Sequence, residues 1–226
     1  MADAQRSEAE HADIVAEYER HRDFVSILAH ELKGPMTTIM GFGRTLEEHW
    51  DTIDEGRRVQ FISIVRRETE RLAQLVSDLL DMSGVESGGF RYEMAPMAIG
   101  ELVESIVSIH GSLFAAHRVK SEIPDDLPLV MGDKERIRQV LLNLMSNAAR
   151  YSPEGTTITV SAQVVEEDGR PRAKVSVSDE GIGIAPEDHE RIFSKFATLP
   201  KPGWTQKGTG LGLFITKGIV DAHGGH

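Results

Sequence analysis

The sequence predicts an α+β fold in which a long antiparallel helical hairpin is followed by an α/β sandwich with its helices on one face of a sheet. Three observations support this prediction. Apolar residues recur every three or four positions over the first third of the 226-residue chain, a glycine-rich segment follows at 83–89, and strand-like alternation begins near residue 156. Because the apolar period changes after the glycine-rich segment, we expect a domain boundary there.

The hairpin is predicted from about residue 8 to residue 83, with a break between its arms at 50–56. Each arm carries an apolar seam, and the second arm has near-heptad spacing with further apolar residues beside its seam. Two such helices bury little surface alone, so we predict that two copies pack into a dimeric four-helix bundle. The seams comprise Val25, Leu28, Leu32, Met36, Ile39, Phe42 and Leu46 in the first arm and Ile62, Val65, Thr69, Leu72, Val76 and Leu79 in the second.

Helices and strands mix after the glycine-rich segment, and Asp133 is well placed as the N-cap of the longest helix there. The predicted elements are helices at 100–116, 133–151, 185–193 and 214–223 and strands at 156–160 and 173–178. The predicted domains are the helical hairpin at 1–84, a linker with a first strand at 85–99 and the sandwich at 100–226.

Composition excludes several classes of protein. The chain has 25 Lys+Arg and 36 Asp+Glu, a formal net charge of −11 that argues against a nucleic-acid partner. Cysteine is absent, which excludes disulfides, thiolate metal sites and cysteine nucleophiles. The apolar runs fall far short of the roughly 20 residues that span a bilayer, and the first residues do not resemble a signal peptide. We therefore expect a soluble chain without membrane contact.

One histidine lies on the polar face of the first predicted helix. With about 100° per residue, His30 falls almost opposite the apolar seam at Leu28 and Leu32. A neutral imidazole there can act as a nucleophile, and the neighbouring Glu31 can hold its second nitrogen in the protonated form. Pro35 cannot donate to the carbonyl of Glu31, so we expect the helix to kink or loosen. Taken alone, the segment favours a solvated helix face over a reactive site.

The helix at 133–151 carries a polar stripe beside its apolar one. Its members are Gln139, Asn143, Asn147 and Arg150, and asparagine is a poor helix former, so its repetition needs an explanation. Amide oxygens can complete the coordination of Mg²⁺ bound mainly by phosphate and water. Arg150 could bind phosphate and Tyr151 could stack on a base. A solvated helix face explains the stripe equally well.

Two glycine motifs follow. A D-x-G-x-G motif at 179–183 ends a predicted strand, where glycines permit a sharp turn and a carboxylate can accept from an exocyclic amine. A G-x-G-x-G motif at 208–212 opens the last helix, whose first N–H groups can bind an anion. The segment 196–207 between them is predicted to cover that anion site. The second motif is not a P-loop, because no Gly-Lys-Ser/Thr follows, and not a dinucleotide fingerprint, because no strand leads directly into it. Taken alone, the first motif could be an ordinary turn and the second a flexible hinge.

Together these segments resemble the sensor histidine kinases of two-component systems. Phe24–Pro35 resembles their H box, Gln139–Ser152 their N box, and Phe193-x-x-Phe196 their F box, while the glycine motifs resemble their two glycine boxes. All five occur in the family's order, from about residue 10 to the end of the chain. The resemblance implies a dimerisation and histidine-phosphotransfer hairpin followed by a Bergerat-type (GHKL) ATP-binding domain.

The resemblance also implies residue roles. His30 would accept the γ-phosphoryl group of ATP with Glu31 as base, and pass it to an aspartate of a response regulator receiver domain. Asn147, with Asn143, would bind Mg²⁺, and Asp179 would recognise adenine through its exocyclic amine. The implied ATP-binding residues are Asn143, Asn147, Arg150, Tyr151, Asp179, Gly181, Gly183, Lys207, Gly208, Thr209, Gly210, Leu211 and Gly212.

Three departures from related patterns matter. Gyrase-like ATPases have a glutamate where this chain has Asn143, and an asparagine cannot act as a general base, so ATP should be protected from water. The family's phosphatase motif has threonine or asparagine where this chain has Gly34, which puts phosphatase activity in doubt. Members of the family usually continue with about two more strands after Gly224 and Gly225, so we expect a catalytic core fragment, truncated in its ATP-binding domain.

We expect the cytoplasm as its location, with a parent protein that is membrane-anchored through other segments. Two alternatives to a kinase stay open at this point. A non-catalytic dimeric scaffold would keep the hairpin but bind no nucleotide, so Mg·ATP would not raise its melting temperature. A water-directed ATPase would release phosphate steadily without His30.

Overall fold

The computed structural model describes residues 2–199 and 209–226, with the backbone alone described at 2–21, 23, 24, 112 and 113. The chain divides into two compact units, Met1–Leu80 and Asp81–His226. The first unit is a helical hairpin, and the second combines helices with two small sheets. None of the helices in the described part combines the length and the apolar character needed to cross a bilayer.

The hairpin consists of α1 (Ala2–His49) and α2 (Glu55–Ser87), whose last seven residues belong to the second unit. Asp54 begins α2 by accepting the backbone N–H of Arg57 at 3.0 Å. The arms contact each other near this turn, where the ring centroids of Phe42 and Phe61 lie 4.9 Å apart. An N-cap and an aromatic pair therefore define where the chain reverses.

The helix α1 continues without a break through Gly34 and Pro35, where the sequence predicts a kink or a loosening. Proline removes only one backbone hydrogen bond of the ladder, and the following turn is supported by side chains. The hydroxyl of Thr37 donates to the Lys33 carbonyl at 2.8 Å, and that of Thr38 to the Gly34 carbonyl at 3.2 Å. The long helix on both sides of Pro35 thus outweighs the loss of one backbone hydrogen bond.

The second unit contains a mixed three-stranded sheet and a separate antiparallel pair. In the larger sheet β4 is central, parallel to β2 and antiparallel to β5, while β1 pairs with β3. The elements are β1 (Ala95–Met97), α3 (Ile99–His110), β2 (Arg118–Glu122), β3 (Val130–Gly132), α4 (Lys134–Tyr151), β4 (Thr157–Glu167), β5 (Arg170–Ser178) and α5 (Gly212–Ala222). Single 3₁₀ turns lie at Gly111–Phe114, Pro186–Asp188 and Arg191–Phe193.

Several predicted bounds change. The strands predicted at 156–160 and 173–178 correspond to the ends, remote from the turn, of a longer hairpin that turns at Asp168 and Gly169, both of which have positive φ. This two-residue turn matches the strand twist and lets the ladder extend. The helix expected at 185–193 is two 3₁₀ turns, and the one expected at 100–116 ends as an α-helix at His110.

The glycine-rich segment 83–89 is mostly helix. Asp81 accepts hydrogen bonds from Arg136 at 2.7 Å and Gln139 at 2.6 Å on α4, and Glu86 forms an ion pair with Lys195. Gly84 lies so close to the ring of Phe90 that a side chain would not fit. Since tertiary contacts stabilise this last stretch of α2, its glycine does not end the helix.

The core of the second unit lies between its helices and β4. Buried apolar side chains of α3 and α4 pack on those of β4, so the helices cover one face of the sheet as predicted. The central residues are Leu102, Val103 and Ile106 on α3, Leu141, Met145 and Ala148 on α4, and Ile158, Val160 and Ala162 on β4.

Asp133 joins three segments at the start of α4. Its carboxylate accepts the backbone N–H groups of Glu135 and Arg136, as predicted for an N-cap, and also that of Glu93. Burial raises the pKa of this carboxyl, but those backbone hydrogen bonds and the Arg136 guanidinium outweigh burial and hold the pKa below its usual range. The backbone N–H of Asp133 donates to Nε2 of His223, which ties α4 to the end of α5.

We predict that Asp133→Ala destabilises the protein by about 1–2 kcal/mol at neutral pH, since it removes a cap and the partner of the Glu93 N–H. Because the folded pKa is below the unfolded one, this stabilisation is complete above about pH 4 and disappears as pH falls through the folded pKa. Urea unfolding at pH 7 and at pH 3 measures both effects. Asp133→Asn is the control, because it keeps a capping oxygen without the charge. An unchanged unfolding free energy for Asp133→Ala at pH 7 contradicts the role.

Candidate functional site

His30 is exposed on α1, as its position opposite the seam predicts. Its imidazole ring takes part in none of the hydrogen bonds formed by the described side chains. A nitrogen of this exposed ring can therefore offer a lone pair to a reactant. The ring has the accessibility that a nucleophile needs.

Glu31 is bound to the opposite helix rather than to His30. Its Oε2 accepts a hydrogen bond from Nη2 of Arg71 on α2 at 3.0 Å, and its side chain is only 13% exposed. Glu68 is a second acidic neighbour of that guanidinium, 3.9 Å away. The structure thus adds Arg71 to the surroundings of the predicted base, a residue 40 positions distant that sequence spacing does not reveal.

The polar stripe of α4 lies beside its buried face. Asn143 and Asn147 are half-buried, Arg150 is exposed, and Tyr151 is 37% exposed. Nδ2 of Asn143 donates to Oγ1 of Thr216 on α5 at 2.9 Å. The stripe is therefore not a uniformly solvated face. Asn143 contacts α5, whereas Arg150 at the C-terminal end of the stripe is exposed.

The loop after β5 lies against the end of α4. Oδ1 of Asp179 accepts the backbone N–H of Gly181 at 2.8 Å, which tightens the turn, and the side chain of Asp179 is exposed. A Cβ on Gly181 would lie 2.6 Å from the carbonyl oxygen of Tyr151, so only glycine permits this approach. Gly183 has a φ of +67°. Glu180 secures the loop by accepting the N–H of Thr157 at 3.0 Å.

The start of α5 is wedged between α4 and the segment at Phe196. Gly210 has a φ of +68°, and a Cβ there would lie 2.6 Å from Cα of Phe196. Leu211 is fully buried, and its N–H donates to Oγ1 of Thr209 at 3.1 Å. Among the residues that the structure describes, no side chain caps α5, and the N–H groups at a helix start can bind an anion. Lys207 and Gly208 lie outside the described residues, as does most of the predicted cover at 196–207.

These elements border one surface of α4. The start of α5 meets the stripe at Asn143, and the loop at 179–183 meets it at Tyr151. Between them lie a half-buried amide, a guanidinium and an exposed aromatic ring. This donor set fits a nucleotide, with a carboxylate at one end and helix N–H groups at the other.

The described residues of this surface could bind a metal ion only together with a ligand. Among the described residues no group of three His, Asp or Glu side chains could hold a metal. Two amide oxygens fall short of the roughly six oxygen ligands that Mg²⁺ takes. Phosphate oxygens and water would have to complete the coordination, which fits Mg²⁺ bound with a nucleotide.

Comparisons with known proteins identify both units. Residues 20–88 match the family model of the His Kinase A phospho-acceptor domain. Residues 132–226 match the model of the histidine kinase-, DNA gyrase B- and HSP90-like ATPases. The chain belongs to the sensor histidine kinases. The predicted fold, a helical hairpin followed by a GHKL-type ATP-binding domain, is confirmed. The predicted roles of individual residues in this sensor histidine kinase stay predictions.

Three relatives illustrate the similarity. Sensor histidine kinase WalK of Bacillus subtilis is 37% identical over 211 residues, 92% of this chain and 34% of WalK. Histidine kinase AdeS of Acinetobacter baumannii superposes with a TM-score of 0.65 at 28% identity, over 85% of this chain and 86% of AdeS. Histidine kinase ThkA, solved in complex with response regulator protein TrrA, superposes with a TM-score of 0.60 at 25% identity, over 93% of this chain and 60% of ThkA. The chain spans about a quarter to a third of the length of the curated relatives it matches.

We predict that Gly181→Ala costs about 1–3 kcal/mol of stability and weakens ATP binding about tenfold, because the new methyl meets the Tyr151 carbonyl. Thermal unfolding and titration with a fluorescent ATP analogue measure the two effects. Gly100→Ala is the matched control, since its Cβ would meet Ile123 at an ordinary 3.7 Å. Wild-type affinity in Gly181→Ala would show that the loop needs no close approach to α4.

Proposed function

We propose that this chain is an ATP-dependent protein-histidine kinase core that phosphorylates itself on His30. In this proposal, residues 1–84 form the dimerisation and phosphotransfer hairpin, 85–99 the linker with the first strand, and 100–226 the ATP-binding domain. The observation that carries the proposal is an exposed histidine, without a hydrogen bond to any described side chain, inside a phospho-acceptor domain and in one chain with an ATPase domain.

The chemistry requires little beyond positioning. A neutral His30 attacks the γ-phosphorus of ATP with one ring nitrogen, so an N–P bond forms while the bond to the bridging oxygen of ADP breaks. The other ring nitrogen then loses its proton, and Glu31 is the carboxylate closest along α1 to accept it. Arg71 positions Glu31 beside the helix through their hydrogen bond. Phosphohistidine then supplies the phosphoryl group to an aspartate of a separate protein.

The nucleotide surface divides into an adenine end and a phosphate end. Asp179 accepts from the exocyclic amine of adenine and Tyr151 stacks on the ring, with Gly181 and Gly183 shaping the loop. Asn147 and Asn143 would hold Mg²⁺, which would supply positive charge to the phosphates when bound, and Arg150 would bind phosphate. The second glycine box would enclose the phosphates with Lys207, Gly208, Thr209, Gly210, Leu211 and Gly212.

Two partners follow from this function. ThkA was solved with a response regulator, which supports a response regulator receiver domain as the acceptor for this chain. Exposed apolar side chains along both arms of the hairpin support a homodimer through a four-helix bundle. They are Val25, Ile27, Met36, Met40, Val59, Ile62, Val76 and Leu80. Because the reaction consumes ATP, we place it in the cytoplasm.

We predict that His30→Gln abolishes incorporation of label from γ-labelled ATP with Mg²⁺, because it removes the only proposed acceptor of the phosphoryl group. The wild-type label should be labile in acid and stable in base, as expected of a phosphoramidate. His49→Gln is the matched control, since His49 is another exposed histidine of α1. Undiminished base-stable label in His30→Gln would refute the assignment.

We predict that Asn147→Ala weakens binding of Mg·ATP by about tenfold or more, the equivalent of one lost charge-assisted contact. Binding of ATP in EDTA should change less than twofold (roughly the scatter of such measurements), because the amide acts through the metal. Ser146→Ala on the neighbouring position is the control. An equal loss with and without Mg²⁺ would contradict a metal role, and absence of any nucleotide-induced thermal shift in the wild type would favour the scaffold.

A further inference from the structure

Thr216 is a buried polar residue in an otherwise apolar face of α5. Its side chain is 6% exposed, and Ile215 and Ile219 beside it are buried as well. A buried hydroxyl is costly unless it forms a hydrogen bond, and this one accepts Nδ2 of Asn143 at 2.9 Å. Valine has the same shape and would suit these neighbours better. Packing alone therefore does not explain a threonine at this position.

Asn143 contacts α5 at two points on one face of the helix. Thr216 is one point, and Gly212, one turn earlier, is the other. A Cβ on Gly212 would lie 2.3 Å from Oδ1 and 3.0 Å from Nδ2 of Asn143, so the amide lies directly on that glycine. With its nitrogen bound to Thr216 and its oxygen over Gly212, the amide has a defined orientation.

The orientation matters because the two ends of an amide differ. The NH₂ group only donates hydrogen bonds, whereas the oxygen only accepts them and can bind a cation. The start of α5 carries partial positive charge, which attracts the amide oxygen and repels the NH₂ group. Because a hydroxyl can both donate and accept, the start of α5 selects the orientation, and Thr216 then holds the NH₂ group in it, with Oδ1 presented where α4 and α5 meet.

We propose that Thr216 is a positioning residue for the phosphate end of the nucleotide surface. It holds Asn143 so that the amide oxygen, and not the NH₂ group, is available to Mg²⁺ and the phosphates. This inference rests on the proposed nucleotide-binding function and deepens it. Without the hydroxyl, the amide can rotate and offer its donor side, which repels the metal ion.

The test compares Thr216→Val, which keeps the shape, with Thr216→Ser, which keeps the hydroxyl. We expect the valine variant to bind Mg·ATP about fivefold to tenfold more weakly, the equivalent of one hydrogen bond, and the serine variant to stay within about twofold of wild type. In an Asn143→Ala background, Thr216→Val should have no further effect. Equal Mg·ATP affinity of the valine variant and wild type, or the same loss with and without Asn143, overturns the proposal.

A second readout needs no ligand. The side-chain NH₂ signal of Asn143, assigned by its loss in Asn143→Ala, should move in the ¹⁵N–¹H spectrum of Thr216→Val and stay close to wild type in Thr216→Ser. An unmoved signal in the valine variant overturns the positioning role. A wild-type protein that binds no nucleotide refutes the proposed function instead, whatever this spectrum shows.

Discussion

The second unit depends on one helix that has to satisfy contacts on two faces. One face of α4 is buried with α3 and β4, through residues such as Leu141 and Met145. The other carries the polar stripe, which α5 and the loop at 179–183 border. Because the angular positions of helix residues are set by the backbone, packing the core face also places Asn143, Asn147 and Tyr151. The core thereby preorganises the candidate site at little additional entropic cost.

Polar side chains around α4 serve as ties between elements. Asp133 and His223 join the start of α4 to the end of α5, and Asn143 and Thr216 join the same two helices farther along. At the other side, Asp81 binds Arg136 and Gln139 and fixes the last turns of α2. Such partly buried pairs tolerate few alternative arrangements, since a partner left alone would be an unsatisfied polar group. They make the unit specific as well as stable.

In the first unit, the environment of the phosphoacceptor candidate is asymmetric. His30 is open to solvent, whereas its neighbour Glu31 is largely covered and bound to Arg71. Adjacent residues on a helix point about 100° apart, so one can face solvent while the next faces the partner helix. An ion pair across the hairpin thus holds the acidic side chain in place and leaves the imidazole accessible. In the proposed reaction His30 is the nucleophile and Glu31 accepts its proton. Arg71 positions Glu31 and forms no hydrogen bond with His30.

Local patterns in the sequence were sufficient to predict the hairpin, the outward position of His30, the two faces of α4 and its cap at Asp133. Each of these depends on helical periodicity or on hydrogen bonds between residues two or three positions apart. The tertiary structure alone decided that α1 continues through Pro35, that α2 extends to Ser87, and that β2 joins the sheet in parallel. It also decided that Arg71 meets Glu31 and that Thr216 meets Asn143, pairs separated by 40 and 73 residues. Such contacts depend on how distant elements pack, and the spacing of apolar residues along the sequence does not reveal this packing.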